Sequence, residues 1–355
     1  MPWILSTKIA VAILLLLASQ YHLFSRFSSG SVFSPEFPRI VVMLFNWGFG
    51  AILLLAIFQL ITDLGILVMM LFKHQQLAIP SGLRLGIGAV ALFLAGLGVI
   101  QAARVPPLKD VEFAINDLPP QFDGYQILHL TDLHISRLFD KQWTKKVVSQ
   151  SNELGVDLVV ITGDLIDGSV TERSEDIKAL SDLWAPDGVY VTPGNHEYFF
   201  DNEAWMQHYI SLGMRPLANS HTTLERNGSQ IVLAGVTDLT APETGFPPPD
   251  LKKALAGVPQ YVPIILLDHQ PKNARDAANQ GVDLQLSGHT HGGMILGLDQ
   301  LVALVNGGFV SGRYQIADMQ LYVSNGTALW PGFALRLGRP AELTRITLRR
   351  AVKSN

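Results

Sequence analysis

Hydrophobic positions along the chain fall into two regimes. Up to about residue 105 they run on almost without interruption, and beyond it they come in short bursts separated by polar or amphipathic stretches. Residues 9–24 are almost wholly apolar. Residues 40–72 are apolar for 33 positions, broken only by Asn46, Gln59, Thr62 and Asp63, and residues 83–103 form a Gly-rich third run with no charge after Arg84. Crossing a hydrocarbon core takes about 20 apolar helical residues, so the second and third runs are long enough and the first, at 16 residues, is short. A cleavable signal peptide would account for the first run alone. The pattern therefore predicts an all-α transmembrane anchor of about three spans: 9–24, 40–61 with a possible extension to 72, and 83–103. The second span reads as one tilted helix with Asp63 at the interface, or as a tight pair in which 64–72 is an incomplete span. Pro106 and Pro107 cannot continue a helix comfortably, which puts the boundary between an anchor at 1–105 and a second domain at 106–355.

In the second region the bursts sit at 125–131, 157–162, 188–193, 230–236, 262–268, 282–286, 321–324 and 343–349. Each has strand length, and the intervals carry helical patterning, as in LFDKQWTKKVVSQSNELG after the first burst. Strands alternating with helices predict a layered α/β sandwich. There is no internal repeat and no low-complexity segment.

What breaks these bursts is chemically uniform. The strand at 125–131 is followed by Asp132 and His134, that at 157–162 by Gly163, Asp164 and Asp167, and that at 188–193 by Gly194, Asn195, His196 and Glu197. The strand at 262–268 ends in Asp268 and His269, and that at 282–286 runs into SGHTHGG, with His289 and His291 two positions apart. In an extended segment those two histidines face opposite ways, so one site can use both only across a sharp turn, which the surrounding glycines permit. Each residue alone has an ordinary role available: Asp167 or Asp268 as a helix N-cap, Asn195 as a turn residue, His129 inside its strand as a core histidine. Such residues at five separate strand ends, where open α/β sheets place their chemistry, argue for one shared site.

Charge and composition narrow the chemistry. Residues 1–105 carry six basic and two acidic side chains, so the remainder, with 20 basic and 28 acidic, has a net charge of −8. A domain that acidic is poorly suited to tracking a nucleic-acid backbone and well suited to divalent cations. There is no cysteine, which excludes disulfides and thiolate zinc sites. Imidazole, carboxylate and one carboxamide without sulfur suit zinc, manganese or iron. The donors are too many for one ion and about right for two, roughly 3.5–4 Å apart, which would clamp an in-line displacement at phosphorus and lower the pKa of a bound water. A carboxylate bridges two cations best, and Asp164, central in chain order, is the candidate.

DLH at 132–134, GDLID at 163–167, GNHE at 194–197, the His269 of DHQ and GHTH at 288–291 together resemble the calcineurin-like metallophosphoesterases, in full order and with no ligand position missing. The resemblance covers about residues 111–349. LPPQFDGYQILHLTDLH, GNHEYFF and SGHTHGG are most similar to its membrane-anchored branch, the YkuE-like bacterial proteins and the animal transmembrane protein with a metallophosphoesterase domain. The resemblance implies a four-layer α-β-β-α sandwich. It implies that Asp132, His134 and His291 hold a first metal and Asn195, His269 and His289 a second, with Asp164 shared. His196 then acts as the acid that is not itself a ligand. Met294 and residues 325–331 depart from the branch's usual residues without replacing a ligand.

The substrate must be argued from the anchor and the apolar stretches at 245–249, 304–310 and 329–333, which are candidates for a pocket rim. Beside a bilayer they suggest a lipid-linked or otherwise amphiphilic phosphate, with membrane lipids as neighbours, no nucleic acid and no obligate protein partner. A scaffold that keeps the fold without turnover is the alternative, but such a protein should have lost Asp164 or His196. Lys and Arg are evenly divided between the two sides of a three-span anchor, so the positive-inside count leaves orientation open. Relatives with exported domains favour a bacterial cell membrane with the catalytic domain outside the cytoplasm.

Overall fold

The computed structural model describes residues 4–351. Two compact units are present: the residues up to Ala103 together with Trp330–Leu337, and Arg104–Leu329 together with the residues from Gly338 onward.

The first unit is helical, with α1 (Leu5–Ser19), α2 (Tyr21–Ser29), α3 (Arg39–Lys73) and α4 (Ser81–Ala103). α3 and α4 are each long and apolar enough to cross a membrane, and α1 with α2 would do so only as one span bent by 49°. The apolar run at 9–24 is thus divided at Gln20, just after Ser19 turns its hydroxyl back onto the Leu16 carbonyl at 2.7 Å; such back-bonding competes with the helical ladder. The run at 40–72 forms one unbroken helix of 35 residues rather than a tight pair. At 1.5 Å per residue that is longer than a ~30 Å hydrocarbon core requires. α4 turns Ala91, Ala95, Gly98 and Ala102 inward, small residues that let helices approach closely.

The segment Trp330–Leu337 packs among these helices. Asn46 of α3, fully buried, donates to the Pro331 carbonyl at 2.8 Å and accepts from the Ala334 amide at 2.5 Å, while the Tyr21 hydroxyl donates to Pro331 at 2.8 Å. The Arg336 amide donates to the Gly98 carbonyl at 3.1 Å, and Leu335 fills the space that a side chain at Gly98 would take. A polar side chain in an apolar bundle must find partners, and the loop backbone supplies them. The apolar residues at 329–333, read from sequence as rim candidates, therefore belong largely to this helical unit.

The second unit is two six-stranded sheets built from β1 (Leu108–Ile115), β2 (Gln126–Leu130), β3 (Leu158–Thr162), β4 (Val189–Thr192), β5 (Arg215–Pro216), β6 (Ser220–Arg226), β7 (Ser229–Gly235), β8 (Ile264–Leu267), β9 (Leu284–Ser287), β10 (Gly312–Ile316), β11 (Met319–Val323) and β12 (Leu343–Arg350). Their orders are β1-β12-β2-β3-β4-β5 and β10-β11-β9-β8-β7-β6. β2, β3 and β4 are parallel to one another, as are β7, β8 and β9, so their carboxyl ends line up within each sheet. Ile127, Leu158, Val160 and Tyr190 pack in one core cluster with Leu233, Ile265, Leu267, Leu284 and Leu286 of the other sheet. On the far side of the second sheet Val232, Ala234, Ile264 and Leu266 meet Ala274 and Ala277 of helix Ala274–Asn279. Every residue of β3 is buried, so the first sheet is covered on both faces too. Helix Lys141–Glu153 buries Trp143, Val147 and Val148, and Asp140 caps it by accepting from the Gln142 and Trp143 amides at 3.1 Å.

The strands that the hydrophobic pattern did not predict are β1, β5, β6 and β10. They are the four edges of the two sheets.

If Asn46 holds the 330–337 segment, Asn46→Ala should expose the buried Arg336 to trypsin in the detergent-solubilised chain. Cleavage after Arg336 should rise about tenfold for each ~1.4 kcal/mol lost. An unchanged cleavage rate would show that Asn46 does not secure the loop.

Candidate metal centre

The five strand ends singled out by sequence converge at one place. Asp132 and His134 follow β2, Asp164 and Asp167 follow β3, Asn195 and His196 follow β4, His269 follows β8, and His289 and His291 follow β9. Turning the chain so sharply requires unusual backbone. Asp132 (φ 54°), His134 (φ 43°), Asp164 (φ 54°), His289 (φ 68°) and His291 (φ 50°) are all left-handed. That region is uncommon for residues with a Cβ, though Asp and His tolerate it best, and such strain concentrates at functional sites. The left-handed turns at His289 and His291 let both imidazoles reach the same site across Thr290.

Two groups of donors result, with Asp164 beside both. Asp132, His134 and His291 form one group and Asp164, His269 and His289 the other, each with ligand atoms within 4.8 Å of one another. In the first, Nε2 of His134 and Nε2 of His291 are 3.3 Å apart, and Asp132 Oδ1 is 3.9 and 3.7 Å from them. In the second, Asp164 Oδ2 is 3.3 Å from His269 Nε2, and Asn195 Oδ1 is 3.1 Å from His269 Nε2 and 2.9 Å from His289 Nδ1. The same Asp164 oxygen lies 3.8 Å from His134 Nε2.

Hydrogen bonds behind the donors fix their orientation. His134 Nδ1 faces Asp167 Oδ2 at 3.0 Å and His269 Nδ1 faces the Thr162 carbonyl at 2.7 Å. Each acceptor takes an Nδ1 proton, so Nε2 is the nitrogen directed into the site. Nε2 of His134 thus meets Nε2 of His291 at 3.3 Å beside the carboxylates of Asp132 and Asp164. That is the donor arrangement a cation satisfies, so the residues fit the divalent metals expected from the sequence. The other Asp167 oxygen holds His196 Nδ1, and His196 Nε2 looks toward Asp164 Oδ2 at 3.9 Å. His196 is consequently as near Asp164 as His134 is, and forms a third close group with both.

Electrostatics follow from burial and proximity. Burial raises Asp132, whereas Asp164, although equally buried, is held well below the usual carboxylate range by His269, His196 and His134. His269 moves well above its ordinary value despite burial because Asp164 and Asp132 face it, and His196 rises to about 9 beside Asp164 and Asp167. Burial and the neighbouring His269 push His289 down to about 3.

Several supporting residues carried no assigned role in the sequence. Buried Glu197 accepts from the amides of Asp164 (2.9 Å), Leu165 (2.8 Å) and Gly194 (2.7 Å) and from the Tyr209 hydroxyl (2.9 Å), tying the β3 turn to the β4 turn. Its place in GNHE was the only available signal. Thr131 donates to Asp132 Oδ2 at 2.9 Å, and the His289 amide donates to the same carboxylate at 3.1 Å. Gly163, Gly194 and Gly288 leave no room for a Cβ against Gly194, Asp164 and Asp132 respectively. His129 is a core histidine, paired with Thr162 Oγ1 at 2.7 Å and lowered to about 3 by burial. Asp268 is outside the donor groups, a buried carboxyl pushed up to about 8 by burial and by Asp238.

Residues 125–293 match the calcineurin-like phosphoesterase family. The chain is 36% identical over 271 residues to the zebrafish (Danio rerio) "Transmembrane protein with metallophosphoesterase domain", covering 74% of this chain and 62% of that one. It is 35% identical over 292 residues to the bovine (Bos taurus) protein of the same name, covering 79% and 64%. An uncharacterized metallophosphoesterase of Helicobacter pylori is 33% identical over 280 residues, covering 78% of this chain and 73% of that one. The chain thus spans a little under two thirds of the two animal relatives. Among solved structures, the calcineurin-like phosphoesterase YfkN of Bacillus subtilis aligns at 17% identity and a TM-score of 0.40, over 59% of this chain and 82% of that one.

Because Glu197 sets the turns that present Asp164 and Asn195, Glu197→Gln should weaken divalent-metal binding by about 10- to 100-fold. Titration of the metal-free chain with manganese, read by calorimetry, checks this. Wild-type affinity in the variant would remove Glu197 from the account.

Proposed function

The chain belongs to the calcineurin-like metallophosphoesterases, and from that premise we propose that it is a membrane-anchored phosphoesterase. Its centre would hold two divalent cations, manganese, zinc or iron, and its substrate would be a phosphate ester or pyrophosphate of a lipid or other amphiphile. The observation that supports this best is the position of Asp164, one carboxylate oxygen lying 3.3 Å from His269 and 3.8 Å from His134 of the two donor groups. Asp132, His134 and His291 would hold one ion, Asn195, His269 and His289 the other, and Asp164 both. Cations there would bring the pKa of a water toward neutrality and offset the charge of phosphoryl oxygens.

The remaining work falls to the chain itself. His196 is steadied by Asp167 through Nδ1, and its own amide donates to Asp164 Oδ1 at 2.9 Å, so the ring cannot drift from the centre. With Nε2 directed inward it can hold a proton for the leaving oxygen. Asp167 fixes His134 and His196 together, coupling a ligand to the acid. The backbone amides drawn together by Glu197 keep the β3 and β4 turns in register.

The lipid character of the substrate is supported by α3 and α4, which are apolar and long enough to keep the chain in a bilayer. The relatives named as transmembrane proteins accord with that. We place the protein in a bacterial cell membrane with the catalytic unit on the outer side of it. The reading as a silent scaffold is disfavoured because Asp164 and His196 are both present.

With manganese, the wild-type chain should turn over a chromogenic phosphodiester, and His196→Ala and Asp164→Ala should each lose at least ~100-fold. Equal rates in all three would end the catalytic assignment. Detergent-solubilised phospholipids and lipid pyrophosphates should be cleaved faster than nucleotides. The opposite order would remove the lipid from the proposal while leaving the hydrolase.

A further inference from the structure

Residues 294–311, which follow the SGHTHGG loop directly, contain a single charged side chain, Asp299. They include the short helix Asp299–Val305, and this stretch exposes four large apolar side chains: Leu296 (67%), Leu301 (61%), Leu304 (77%) and Val305 (69%). An amphipathic helix of a water-soluble unit ordinarily turns such residues inward, and contiguous exposed apolar surface marks an interaction site. Here the helix cannot simply roll over to bury them, because it is clamped at both ends. Gly293 lies so close to Asp299 that a Cβ on it would collide with that residue, and Arg339 pairs with the Asp299 carboxylate, whose other oxygen accepts from the Gly297 amide at 2.7 Å. Beyond the other end, Thr290 of the metal loop donates to the Val310 carbonyl at 2.7 Å, and Arg275 donates to the Gly307 carbonyl at 2.9 Å.

We propose that this face is a second, monotopic bilayer contact: Leu296, Leu301, Leu304 and Val305 insert among lipid acyl chains and seat the His289–His291 turn at the lipid surface. The choice of lipid as the occupant comes from continuity along the chain. Ile295 bridges Gly338, Leu296 packs on Gly338 and Asp299 pairs with Arg339. Gly338 and Arg339 follow immediately on Leu337, the last residue of the segment that packs with the membrane-crossing candidates. The helix is thus bonded to the two residues that come next along the chain after that segment. The exposed positions carry no Lys or Arg, so the contact is apolar insertion and does not depend on anionic headgroups. If the substrate is lipid-linked, a clause that rests on the function proposed above, its phosphate would reach the centre without its acyl chains leaving the bilayer.

The absence of cysteine from the chain makes the test direct. Leu304→Cys, Leu301→Cys and, as a control on an exposed helix elsewhere in the same unit, Lys145→Cys are labelled with an environment-sensitive fluorophore. The full-length chain is reconstituted in phosphatidylcholine vesicles, with or without a nitroxide on the acyl chains. Labels at 304 and 301 should emit at shorter wavelength and be quenched several-fold more by the nitroxide lipid than the label at 145. Water-like emission with no added quenching at 304 and 301 would overturn the proposal. So would a label shielded from water but untouched by the nitroxide, and released when the protein is diluted into more lipid, because a second copy would then cover the face. The readout needs neither metal nor turnover, so its outcome is separate from that of the phosphoesterase reading.

Discussion

A carboxylate stays ionised away from water only when cations or hydrogen-bond donors stand in for the water it has lost. Asp164 is such a carboxylate, almost fully buried and faced by His269, His196 and His134, and the architecture around it can be understood as the means of keeping it there. Asp132, Asp167 and Glu197 are buried within the same few turns. Four acidic side chains in one interior would repel one another strongly without compensation. Asp167 is compensated by imidazole and Glu197 by amides and a hydroxyl. Asp132 and Asp164 remain directed at the inward nitrogens of His134, His269 and His291, where a divalent ion would complete the balance.

The backbone conforms to that demand. Parallel strands deliver their carboxyl ends to one edge, and each chain must then turn at once to bring a donor inward. Left-handed residues and glycines without space for a Cβ are the local result: Gly194 lies against Asp164 and Gly288 against Asp132. The fold thus accepts local strain at its strand ends, held in place by the core cluster between the sheets.

How much of this was legible in the sequence follows the same physics. Strands with both faces buried read as continuous apolar bursts, and all eight bursts correspond to strands. β1, β5, β6 and β10 did not read as strands because edge strands are half in water, so their polar positions dilute the pattern. β1, for example, alternates exposed and buried positions along LKDVEFAI. The donors were legible because polar residues ending a buried strand have few ordinary explanations. Asp167 read only as a helix N-cap candidate and Glu197 only as part of GNHE, since what they do is hydrogen-bond to backbone and rings that only the folded chain brings near. The docking of Trp330–Leu337 onto Tyr21 and Asn46 spans some three hundred residues of sequence and leaves no local signature.

The central claim is that seven side chains hold two cations a few ångströms apart with Asp164 between them. Electron paramagnetic resonance of the chain loaded with two equivalents of manganese tests it most directly. The account predicts a spin-coupled signal from a manganese pair in the wild type, which Asp164→Asn reduces to that of isolated ions. Uncoupled signals in the wild type, or binding of a single ion at saturation, would contradict it.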